Sequence, residues 1–178
     1  GELVRAGFFA PWVPNHVHLG FREHDADHYR AAGSLPVEAG VEVEPLVWDG
    51  TGTVVETGET WARLDSPAHP APGERFVGVA GASGEGGPTA VLDGGLPHYE
   101  WGGLLGGDGA TRATLAGQRV GTVDGRTVAW DDLQVLANGD PVTGLALFCS
   151  RDDAGVKLVG EGVDLAVGDW VEVTVGRD

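Results

Sequence analysis

The chain has 178 residues, enough to bury a core without disulfides or metal staples. Its 27 acids against 11 bases leave a net charge of −16, a field that repels phosphate backbones and anionic lipid and so argues against nucleic-acid and membrane partners. A single cysteine, Cys149, rules out an internal disulfide framework, and no apolar run approaches the roughly 20 residues that span a bilayer.

In chain order, the sequence opens on Gly1-Glu2-Leu3-Val4-Arg5, which lacks the basic region and apolar stretch of a signal peptide. A strand is expected over Pro14–Arg22, where alternation places His16 and His18 on one face and Val17 and Leu19 on the other. Ala26–Ala32 reads as a short helix, with Asp25 as N-cap and Gly33 as its stop. Short β-rich runs follow at Val41–Val47, Gly52–Glu56, Thr60–Leu64 and Arg75–Ala80. Further runs are expected at Arg119–Val123, Thr127–Trp130, Gln134–Ala137, Leu145–Ser150, Val156–Val159 and Trp170–Val175. An acidic turn around Asp131, Asp132 and Leu133 is a second helical candidate. Asp49-Gly50, Asp124-Gly125 and Asn138-Gly139 read as hairpin turns. Two Gly-dense stretches, Ala80–Pro88 and Gly102–Gly109, read as long surface loops.

The expected fold is therefore all-β, with sandwich- or barrel-like antiparallel sheets, long Gly/Pro-rich loops and few short helices. Residues 1–80 form the unit that carries the His-x-His strand, and residues 89–178 form a β-rich extension packed on it. Several sheet edges in one chain make a homo-oligomer a natural way to cover them.

Two imidazoles spaced two apart on a strand can aim at one point, as metal ligands or as a ligand beside an acid–base group. The phrase Pro14-Asn15-His16-Val17-His18-Leu19-Gly20-Phe21, preceded by Gly1-Glu2-Leu3-Val4-Arg5-Ala6-Gly7, resembles the His-x-His strand of the lysostaphin-type zinc metallopeptidases. That resemblance implies zinc on His18 and a catalytic role for His16, with zinc drawing the pKa of its water toward about 7. The family's two other zinc ligands come from a strand upstream of this pair, and no such phrase precedes it here. The resemblance thus implies a peptidoglycan-endopeptidase-type domain that is incomplete or inactive as a peptidase. A second resemblance is to cupins: His16-x-His18-x4-Glu23, with Gly33 beyond, is similar to their first metal motif. Their second motif is missing, and Phe76 stands where a His would help.

A third expectation is a non-catalytic β module that binds a peptide or glycan. Pro97-His98-Tyr99-Glu100-Trp101-Gly102-Gly103 gathers His98, Tyr99 and Trp101 in one expected loop, where aromatic faces stack on a ligand and acids hydrogen-bond to it. His69 between prolines reads as exposed, and Cys149 after Leu147-Phe148 as a structural thiol. No serine sits in a nucleophile elbow, and Gly81–Gly87 lacks the Lys of a phosphate loop. Ten of the eleven bases are Arg, with Lys157 the exception. Such an acidic, Lys-poor composition resembles that of proteins from salt-loving microbes, where 1 M salt screens repulsion within about 3 Å.

Overall fold

The computed structural model of the protein describes residues 21–25, 35, 40–84, 87–153, 155–161 and 163–177. Those residues build fourteen strands and no helix. The first seven are β1 (Val43–Leu46), β2 (Thr51–Gly58), β3 (Trp61–Leu64), β4 (Phe76–Gly84), β5 (Gly87–Leu96), β6 (Trp101–Gly106) and β7 (Arg112–Leu115). The rest are β8 (Gln118–Asp124), β9 (Thr127–Trp130), β10 (Gln134–Ala137), β11 (Asp140–Val142), β12 (Gly144–Phe148), β13 (Gly155–Val159) and β14 (Trp170–Gly176).

One continuous sheet runs β11-β10-β14-β2-β3-β13-β12-β5-β6-β9-β8-β7. β4 pairs with β5 off this path, and β1 lies parallel to β4 in the register Val43↔Phe76 to Leu46↔Val79. Every other pairing is antiparallel. The sheet curls strongly into a half-barrel. Register shifts in β2–β3, β4–β5 and β7–β8 supply the bends, because an extra residue in one strand bends it and increases local twist.

Alternation decides which side faces in. In β14, Val171, Val173 and Val175 are buried while Trp170, Glu172 and Thr174 are exposed. β13, in the middle of the strand order, is buried at Val156, Leu158 and Val159, so its sequence reads as a nearly continuous apolar run. The core is apolar throughout: no polar or charged residue is buried among the described residues. Leu64, Leu92, Leu104, Leu145 and Leu158 are at most 1% exposed.

The strands expected at 127–130 and 134–137 form at those bounds. Asp124-Gly125 and Asn138-Gly139 turn the β8–β9 and β10–β11 hairpins, with Gly125, Asn138 and Gly139 all at positive φ. Asp49-Gly50 does not join a hairpin, since β1 pairs with β4 and β2 with β3 and β14. Its Asp49 carboxylate instead accepts bonds from the Thr51 N–H and hydroxyl, which hold its pKa below the ordinary carboxylate value. The acidic stretch at 131–133 forms no helix, and the helix expected over 26–32 lies outside the described residues. The two Gly-dense stretches expected as loops are instead largely β4, β5 and β6.

Candidate functional site

Directly opposed residues in an antiparallel pair share a face. The registers of β6, β9, β8 and β7 therefore set Trp101, Ala129, Thr122 and Arg112 in one row across the outside of the sheet. A parallel row beside it holds Asp93, Gly103, Thr127 and Asp124. All of these are exposed except Gly103, which is half-exposed. Trp101 dominates the face, with 62% of its surface in solvent. Its row neighbour Ala129 and its same-face neighbour Gly103 are small, so the indole stands clear. A methyl group on Gly103 would touch only Asp93, at 4.0 Å.

The opposite face explains why Trp101 points out. Gly102 lies under the Trp130 indole, and a Cβ there would collide with ring atoms Cζ2 and Cη2. Trp130 packs in turn against the buried core. The strand is thus gripped from inside by one indole while it displays another outside. Thr122 is held by a 3.0 Å bond from Arg119, whose guanidinium also pairs with Asp131 at 3.2 Å. Asp131 takes a second ion pair from Arg177 at 3.1 Å, tying the end of the chain to the β8–β9 side.

The turn before β6 carries the other two aromatic candidates. Tyr99 is 45% exposed. His98 is half-buried, and its ring lies 4.8 Å from that of Tyr99. Gly95 and Gly144 make the slot for the imidazole: a Cβ on either would come 2.5 Å from a ring nitrogen. Desolvation lowers the His98 pKa, opposed by a hydrogen bond with the Leu96 backbone. The structure therefore brings His98, Tyr99 and Trp101 together but divides their positions: the imidazole lies against the Gly95 and Gly144 backbone and the two larger rings meet solvent.

Asp93 borders the Trp101 face. The residue is exposed, but its carboxyl is partly desolvated, which raises its pKa against a lowering bond from the Gly94 N–H. Burial, and then the Asp93 charge, push the Cys149 thiol up to about 12, so at neutral pH it is a thiol and not a nucleophilic thiolate. His69 is pinned by backbone on both nitrogens: the Ala71 N–H donates to Nδ1 at 3.1 Å, and Nε2 lies 3.2 Å from the Arg75 carbonyl.

His16 and His18 lie outside the described residues. Among the described residues, no group of three or more His, Cys, Asp or Glu side chains could hold a metal ion. No helix among them is long and apolar enough to cross a membrane. The outward row itself is not legible in the sequence. Thr122, Thr127 and Ala129 sit in two expected strands and Asp124 in an expected turn, but their alignment beside Trp101 depends on β6 being a strand.

Two family descriptions match the sequence. Residues 44–176 match "Domain of unknown function (DUF8155) C-terminal domain", and residues 1–39 match "Domain of unknown function (DUF8155) N-terminal domain". The chain belongs to this family. The two matches meet between residues 39 and 44, so the described sheet falls in the C-terminal domain and His16 and His18 in the N-terminal one. No curated protein and no solved structure matches the chain.

Proposed function

We propose that this member of the DUF8155 family is a non-catalytic β module that binds a saccharide on the outer face of β5, β6, β9 and β8. The observation that carries the reading is Trp101, 62% exposed on a paired strand with small neighbours. An indole face offers an apolar platform to the C–H side of a sugar ring. Around it, Thr122, Thr127, Asp93 and Asp124 supply hydroxyls and carboxylates to sugar hydroxyls. Both edges of β6 are already paired, with β5 and β9, so an extended peptide has no strand edge to join beside Trp101. That favours a glycan over a peptide. The net charge of −16 favours a neutral saccharide over an acidic one.

The test is retention on a panel of immobilised neutral polysaccharides in high salt. The wild type is retained on at least one, Trp101→Ala is released from it, and a His16→Ala/His18→Ala double variant is retained like wild type. Retention of Trp101→Ala equal to wild type, or wild-type retention on none, contradicts the reading.

A second reading belongs to the N-terminal segment. The His16-Val17-His18 phrase supports a metallopeptidase-like site there, with zinc on His18 and His16 beside it. Metal content by mass spectrometry tests it: one zinc per chain that disappears in His18→Ala supports the site, and no zinc in the wild type sinks it. The acidic, Lys-poor composition supports a salt-rich setting, which predicts stability that rises with NaCl.

A further inference from the structure

At the other end of the strand order, β10, β11, the start of β14 and residues Glu161, Val163, Asp164, Leu165 and Asp169 line an open cavity of about 790 Å³. That is within the size range of small-molecule sites. Val142, Val163 and Leu165 give it an apolar wall, and Trp170, 59% exposed, stands at its margin. Asp140, Glu161, Asp164 and Asp169 also line it, with no Lys, Arg or His among the lining residues. Asp169 commits one oxygen to the Ala166 N–H at 2.8 Å. The other three carboxylates have no hydrogen-bond or ion-pair partner among the described residues.

The margin is held in place before any ligand arrives. Asn138 donates from Nδ2 to the Trp170 carbonyl at 3.1 Å and accepts from the Glu172 N–H at 2.8 Å. Trp170 is further fixed in register opposite Thr53 of β2. An inorganic cation would use the carboxylates but gain nothing from the apolar wall. A neutral apolar molecule would use the wall but leave the carboxylates without a counter-charge. A ligand that uses both, and an indole face as well, carries a positive charge on an apolar body.

We propose that this cavity binds a small organic ammonium cation. The charge sits against Trp170 and the carboxylates, and the alkyl groups pack on Val142, Val163 and Leu165. The site is separate from the Trp101 face and does not depend on the saccharide reading.

Choline and its uncharged carbon analogue 3,3-dimethyl-1-butanol are the probes, titrated at low salt and followed by backbone amide NMR shifts. Choline is expected to saturate shifts in residues 138–143 and 161–170. Trp170→Ala weakens it roughly tenfold or more, and Trp170→Phe, which keeps an aromatic face, recovers most of the loss. Asp164→Asn with Glu161→Gln weakens choline severalfold, and the neutral analogue binds at least about tenfold more weakly than choline in the wild type. Trp101→Ala leaves choline binding unchanged. Equal binding of the two probes overturns the proposal, as does choline binding that does not saturate or that survives Trp170→Ala undiminished.

Discussion

Trp101 and Trp130 stand on opposite faces of the β6–β9 pair, one displayed and one clamped. Trp101 pairs in register with Ala129, the residue before Trp130, while the Trp130 indole covers Gly102, the residue after Trp101. Strand alternation turns the exposed ring to one face, and the half-buried indole grips the next residue of the same strand from the other. A site built on a paired strand in this way is fixed more closely than one on a loop, because ladder hydrogen bonds hold the backbone on both sides.

This relationship separates folding from binding. Gly102→Ala puts a methyl group into the Trp130 ring and forces it away, which costs about 1–3 kcal/mol of stability. Trp101→Ala removes an exposed ring and shifts stability by no more than about 0.5 kcal/mol. Urea unfolding of both variants checks this, and a Gly102→Ala protein as stable as wild type would show that Trp130 is not the clamp.

Asn138 makes a second test of local geometry. It sits at φ +52°, in the left-handed region, and its amide bridges Trp170 and Glu172. Asn138→Ala adds backbone strain and removes both bonds, for a loss of about 2–3 kcal/mol. Asn138→Gly removes the bonds but tolerates the φ, so its loss is smaller. Thermal unfolding is expected to rank wild type above Asn138→Gly and Asn138→Gly above Asn138→Ala.

Lys157, the one lysine of the chain, lies between two rings, with its ammonium 4.6 Å from the Trp61 ring centre and 5.8 Å from that of Phe148. Replacing it with Met keeps the apolar stem but removes the charge, at a cost of about 0.5–1 kcal/mol. A double-mutant cycle with Trp61→Leu in 1 M salt, where the net negative field is screened, isolates that pairing. A coupling energy near zero would mean the ammonium is held by the general field and not by the ring.

His98 gives the pH prediction. Its pKa is lowered in the fold by desolvation, so the unfolded chain takes up that proton first as pH falls. The stability contribution is intact above the ordinary value of 6.5 and is lost between 6.5 and the lower folded value. Imidazole NMR titration is expected to place His98 below the ordinary 6.5, and His98→Gln to flatten the stability slope in that window. A His98 that titrates at or above 6.5 would contradict the packed slot formed by Gly95 and Gly144.

The all-β class was legible because alternation is direct: Val171, Val173 and Val175 announce β14, and two Gly-containing turns announce the β8–β9 and β10–β11 hairpins. β5 and β6 were not, because Gly94, Gly95, Gly102 and Gly103 are the residues of a loop by composition. Here they are strand residues, and Gly95 and Gly102 are there to let rings lie on the backbone, a requirement visible only once His98 and Trp130 are in place. β11 was hidden by Pro141, which an edge strand tolerates. The aromatic candidates Tyr99 and Trp101 were legible as residue types, whereas the Trp170 cavity joins hairpin, strand and loop residues from 137 to 170 that no local pattern connects.

The most direct measurement is the affinity of wild type and Trp101→Ala, by calorimetry in high salt, for a soluble oligosaccharide cut from the polysaccharide that retains the protein. The account predicts that the variant keeps its stability and loses at least about tenfold in affinity, the scale of one stacked aromatic. Equal affinity in the two proteins would remove Trp101, and with it the outer face of β6, from the binding site.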